Sequence, residues 1–179
     1  QSWTKADDIK DFEIEGMSID RSLLDFFSEN EIDRDYVFPN REFATFANVG
    51  KNFKTYEGFQ VFYYDNDKKY RIKYLAGKIL YNDNIEKCYK KMFQIVEEIK
   101  LSLPNTEVQD DGIRKHTKDK TGKSIAHQIF FNLNDGSEIS VACTDWDVNM
   151  QKDGSHADNL AVALRSKEFT VWLANDAYN

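Results

Sequence analysis

Nowhere in its 179 residues does the chain carry an apolar run near the roughly 18 residues a membrane-spanning helix needs, and no lipid-attachment motif is visible. Stable membrane insertion is therefore not expected. Positive charge is also in short supply: 24 Lys and Arg stand against 31 Asp and Glu, for a net charge of -7. Nucleic acid and anionic membrane surfaces both demand a positive footprint, so neither is expected as the principal partner. Cysteine is limited to Cys88 and Cys143, a pair compatible with one disulfide or with two buried thiols, which leaves the compartment open. Internal repeats and low-complexity segments are missing as well. What the chain has is aromatic side chains, 14% of residues, whose large buried areas compensate for a hydrophobic content of 41%. One domain over residues 1–179 is the expectation, with residues 1–11 frayed. Numbering begins at Gln1 without Met, which suggests a removed tag or, preferably, a cleaved secretory leader.

Periodicity gives the elements. Phe12 and Ile14 alternate with charges like a short edge strand. Ser18 offers an N-cap to a short helix carrying Ile19, Leu23, Phe26 and Phe27, and Ser28 with Glu31 repeats a capping-box spacing. Residues 41–48 read as a strand. Residues 56–64 and 69–81 form a hairpin across Asp65-Asn66-Asp67-Lys68, with Tyr63 facing Tyr70, Val61 facing Ile72 and Phe59 facing Tyr74. A bulge at Gly77 then restores the apolar phase. Asp83 and Glu86 cap the strongest helix, whose stripe is Ile85, Cys88, Met92, Ile95, Val96, Ile99 and Leu103 before Pro104 stops it. Its Lys and Glu residues form a solvated face. Residues 104–124 and 147–156 are long polar loops.

Between those loops lies a hairpin from Ile125 to Asp145. Apolar matching across Asn134-Asp135-Gly136 pairs Leu133 with Ser137, Phe131 with Ile139, Ile129 with Val141, His127 with Cys143 and Ile125 with Asp145. A two-residue turn would set Phe131 against Ser140 and loses on that ground. A strand with Leu160, Val162 and Leu164 follows, then a final helix capped by Ser166 and carrying Phe169, Trp172 and Leu173. The predicted class is α+β: a mainly antiparallel sheet of about five to six strands, one long helix on a face, and short N-terminal and C-terminal helices.

Four motifs bear on chemistry. Residues 117–124 end like a phosphate-binding loop, but Thr117 stands at the leading glycine and a strand follows, so ATP and GTP are rejected. Asp145, Asp147 and Asn149 have the spacing of a calcium loop, yet Met150 replaces the required Gly and His156 the bidentate Glu. His127 beside Cys143 shares the apolar parity of Ile129 and Val141, which favours structural roles over a thiolate nucleophile. His116 and His156, with Asp145, Asp147 and Asp153, follow no zinc spacing, so no metal is expected.

Because Ile125 pairs with Asp145, the two long loops should meet at one end of the sheet. That end gathers Lys115, His116, Lys118, Lys120 and Lys123 beside Asp145, Trp146, Asp147 and His156, mixed charge around an aromatic platform. The candidate ligand-binding residues are His116, Lys120, Asp145, Trp146, Asp147 and His156. Cys88 and Cys143 face one core and are expected to bridge the helix to the hairpin in an exported chain, or to stay reduced in a cytosolic one.

At Glu15-Gly16-Met17-Ser18-Ile19 with Ser22-Leu23-Leu24, then Cys88-Tyr89-Lys90-Lys91, Thr121-Gly122-Lys123-Ser124, Cys143-Thr144-Asp145-Trp146 and Ser166-Lys167-Glu168-Phe169, the chain resembles a family of small exported uncharacterised proteins of marine bacteria. The resemblance spans nearly the whole chain and implies a processed leader and a periplasmic location. It implies no activity. Residues 16–27 are also similar to small outer-membrane-assembly and β-lactamase-inhibitor-like domains, in which a Gly-Met-Ser or Gly-Met-Thr turn opens a helix on an antiparallel sheet. The expectation is a non-catalytic exported binding or interaction module, without cofactor, for a polar ligand or an envelope protein. The alternative is a hydrolase or metal-dependent enzyme using His116, Asp145, Asp147 and His156, and the alternative compartment is the cytoplasm.

Overall fold

Apolar matching sets the central hairpin: Ile125 lies opposite Asp145, His127 opposite Cys143, Ile129 opposite Val141 and Phe131 opposite Ile139, as the sequence predicts. Leu133 N–H donates to Ser137 O at 3.0 Å, and Gly136 at φ +88° takes the left-handed conformation that closes the three-residue loop. The computed structural model describes residues 8–49, 53–82, 84–152 and 154–177, and places this hairpin in one antiparallel sheet of eight strands. In chain order these are β1 (Tyr36–Val37), β2 (Phe43–Val49), β3 (Gly58–Tyr64), β4 (Tyr74–Leu80), β5 (Glu107–Lys115), β6 (Ile125–Asn132), β7 (Glu138–Asp145) and β8 (Asn159–Arg165). The helices are α1 (Ile85–Ser102), the single turn α2 (Val148–Gln151) and α3 (Lys167–Asn175). Lateral order is β1-β2-β3-β4-β8-β7-β6-β5, two meanders joined where β4 meets β8. Among the described residues no helix is long and apolar enough to cross a membrane.

Eight strands correct the expected five to six. β5 falls inside the segment read as a polar loop, because an edge strand exposed along most of its length shows no apolar alternation. Its bulge between Asp110 and Ile113, with Gly112 at φ +64°, twists that edge further from a regular pattern.

The N-terminal segment departs most from expectation. Phe12 and Ile14 are buried outside any strand, Ile14 making only an isolated bridge to Met17. Residues 9–11 form a 3-10 turn with Ile9 buried, so residues 8–11 are not frayed. Asp20 at φ +67° ends right-handed winding after Ser18. In place of the expected short helix, one 3-10 turn forms at Leu23–Asp25 under a Ser22 cap. The Ser28–Glu31 capping box closes a further 3-10 turn.

The widths of the elements explain this segment. Eight strands about 4.8 Å apart span roughly 34 Å, whereas one helix with side chains covers about 10–12 Å. α1 packs on β7 and β8. The β2–β4 half of the same face needs its own cover, which Ile9, Phe12, Ile14, Met17, Ile19 and Leu23 supply in one core with Phe46, Val61 and Leu75. Glu15, at φ +52°, fastens the segment: its carboxylate accepts backbone N–H bonds from Lys54, Thr55 and Tyr56 at 2.8, 2.7 and 2.9 Å.

The β3–β4 register is also corrected. Val61 faces Leu75 and Phe59 faces Gly77, because Asp67 ties down the Lys69 and Arg71 N–H groups and Tyr70, at φ +49°, widens the connection. In this register Leu75, Gly77 and Ile79 already share a face, so no bulge forms at Gly77. Glycine serves a close approach there: an added Cβ would lie 2.7 Å from the Tyr56 ring and 2.9 Å from Ile14.

α1 begins under Asn84, whose side chain accepts from Lys87 N–H; Asp83, the expected cap, lies outside the described residues. It buries Cys88, Met92, Ile95, Val96 and Ile99. Cys88 and Cys143 stand at disulfide distance with Cα atoms 6.0 Å apart. α3 seals one end of the opposite sheet face, with Phe169 and Trp172 on Phe38, Phe43, Phe62 and Tyr74. Beyond α3 that face is floored by small residues, Ala76, Ala163, Ser140, Ala161 and Ala142 on β4, β8 and β7, with Lys78 as the long side chain in the second row.

Candidate functional site

β6 and β7 end side by side, so the loop entering β6 and the loop leaving β7 share one end of the sheet. A hydrogen-bonded chain joins them. Asp119, buried at the turn of the first loop, accepts from Thr121 N and Oγ1 at 2.8 and 2.7 Å and from Ser124 N and Oγ at 2.8 and 2.7 Å. Ser124 Oγ in turn accepts the Asp147 N–H at 2.9 Å. The Thr121 and Ser124 donors hold the Asp119 carboxyl far below the usual carboxylate range, against burial.

The second loop is fixed from its other side. Trp146 N–H donates to Asp158 Oδ1 at 2.8 Å, and Gln151 Nε2 donates to Trp146 O at 2.7 Å and Asp158 Oδ1 at 3.2 Å. Asp147 caps α2, taking Asn149 N–H at 3.1 Å. With both loops held, the Trp146 indole packs against both imidazoles, its centroid 4.2 Å from the His116 ring and 4.3 Å from the His156 ring.

Three of the six candidate residues, His116, Trp146 and His156, thus form one cluster of rings. Asp147 joins them through its backbone and its cap. Lys120 is exposed on the rim. Asp145 does not join: it shares the strand parity of Cys143, towards the α1 face, where its charge bears on Tyr89. Burial and then Asp158 push its carboxyl above the usual range. Nor is Trp146 an open platform, since it is 8% exposed with two imidazoles packed against it. The exposed chemistry is that of the imidazole edges and the lysines. Asp153 lies outside the described residues.

No protein-family model, curated protein or solved structure matches the chain. The chemistry of the site therefore rests on its geometry. Burial first, then the charges of Lys118 and His156, hold His116 below the usual imidazole value. Its Nδ1 accepts Lys118 N–H at 3.2 Å, so neutral His116 carries its proton on Nε2, facing outward from that bond. His156 Nδ1 lies 2.6 Å from Ser155 Oγ. Ser124, the buried hydroxyl, already donates to one partner and accepts from another, which leaves it no role as a nucleophile. His127 is engaged elsewhere, its Nε2 2.7 Å from Asp110 Oδ1. Among the described residues no three His, Cys, Asp or Glu side chains gather where one metal ion would need them. Lys115, Lys118, Lys120 and Lys123 make no ion pair among the described residues.

Asp119, Ser124, Gln151 and Asp158 escaped the sequence reading. For the first, the Asp-x-Thr spacing at Asp119 and Thr121 is the signal of a side chain turning back on its own backbone. Gln151 and Asp158 carry no such pattern, because their partners are remote in the loop.

Proposed function

We propose that the chain is an exported, non-catalytic binding module that holds a carboxylate-bearing partner, such as an acidic segment of an envelope protein, at the end formed by residues 116–124 and 146–156. One observation carries the reading: the Asp119–Ser124–Asp147 chain fastens the two loops to each other beside lysines that make no ion pair among the described residues. A rim fixed in advance loses little conformational entropy on binding, and its cations complement a negative partner despite the acidic whole. The Cys88–Cys143 pair supports export, since disulfides persist in oxidising compartments.

Titrating an Asp- and Glu-rich peptide under proton–nitrogen NMR tests this. Saturable shifts at His116, Lys118, Lys120 and Trp146 that fade with added salt are the expected result. Unmoved peaks at those residues would remove the reading. The runner-up, a hydrolase, draws on the Ser155–His156 contact. Ester turnover by the intact chain that His156→Ala abolishes would install it instead.

A further inference from the structure

On the sheet face opposite α1, at the β2–β3–β4 side, a cleft of about 230 Å³ is lined by Ala47, Phe59, Gln60, Lys78 and Leu80 among others. It exists because Lys78 stands between two residues too small to fill the space beside it, Gly58 on β3 and Ala161 on β8. Lys78 is half-buried, and its ammonium makes no ion pair among the described residues. The carboxylate on the wall, Glu57, is committed to the Leu80 backbone N–H.

We propose that this cleft binds a free carboxylate carrying a short apolar chain, with the carboxylate on Lys78 and the chain along Ala47, Gly58 and Leu80. A cation kept partly out of water without a counter-ion is costly, and an anion arriving from solution removes that cost. Burial, and next the nearby Lys118 cation, hold the Lys78 amine below its usual value. One amine matches the single charge of a carboxylate. A phosphate would call for a guanidinium fork or a nest of free backbone N–H groups, whereas these strands spend their N–H groups on one another. The volume falls below the about 300–1,000 Å³ of pockets that take drug-sized molecules, which selects a short chain over a ring system. The cleft adjoins the loop end at Lys118, but Lys78 and its apolar wall lie outside residues 116–124 and 146–156, so the site survives the failure of that reading.

Calorimetric titration of the full chain with octanoate, octanol and acetate tests the proposal. Saturable one-to-one binding of octanoate is expected, with octanol and acetate each weaker by about tenfold or more, since one lacks the charge and the other the chain. Lys78→Met, which keeps the apolar stem, should weaken octanoate by about tenfold or more, while Lys78→Arg stays within about threefold. Lys120→Gln, on the loop rim, should leave octanoate binding within about twofold and so separates the two sites. Octanol matching octanoate, Lys78→Met binding like the parent chain, or no saturable octanoate binding would each overturn the assignment.

Discussion

Asp119 is a single carboxylate whose protonation state should be legible in a tryptophan far along the chain. Its donors Thr121 and Ser124 lower its folded-state pKa beneath the ordinary 3.8. A depressed folded pKa gives stabilisation that is fully present above the unfolded value and is lost as pH falls through the folded one. Because Ser124 Oγ passes the constraint to the Asp147 N–H, the Trp146 indole should respond. We predict that the Trp146 indole cross-peak moves in two steps as pH falls from neutral, first as the adjacent His116 imidazole takes its proton and again only below about pH 4 with Asp119. Asp119→Asn should show the shifted peak at neutral pH, since an amide presents donors to donors. A variant peak coincident with the parent would show that the loops stand without the carboxylate.

Among elements, the one with the clearest measurable weight is the tie between α1 and β7. Cys88 and Cys143 are 55 residues apart in sequence, and closing a loop of that length stabilises by about 4 kcal/mol on the chain-entropy account. The urea midpoint of the reduced and alkylated protein should fall accordingly against the oxidised form. A loss under about 1 kcal/mol would mean that α1 packing suffices without the bond. This pairing was legible because α1 and the central hairpin each show an apolar face on an unambiguous period, which put Cys88 and Cys143 in one core while leaving bridge or reduced thiols open. β5 was illegible for the opposite reason: an edge strand with water along it has no buried parity to read. Residues 18–28 misled because apolar spacing that suits a helix equally suits a coil laid flat on a sheet, and the positive φ at Asp20 leaves no mark in Asp itself. The β3–β4 register failed where no short turn signature fixed it. At the candidate site, the pairing of Ile125 with Asp145 was enough to bring His116, Trp146 and His156 together. The hydrogen bonds that lock them follow no period and left nothing to find.

At the scale of the whole molecule, two local meanders share one seam, and β8 fills it, with Leu164 facing Leu75 on one side and Ile139 on the other. A chain ending before Asn159 would leave both β4 and β7 as open inner edges, the geometry that templates pairing between molecules. Residues 1–158 should therefore elute as assemblies larger than the full chain by light scattering, and a peptide of residues 159–177 should reverse the effect. Recovery of residues 1–158 at the size of the full chain would refute this. The same placement has a consequence for timing. In a chain made from its N-terminus, seven strands emerge before the one that joins them. Until β8 follows, neither half has its mate, so closure of the sheet waits for β8 however early the two meanders form.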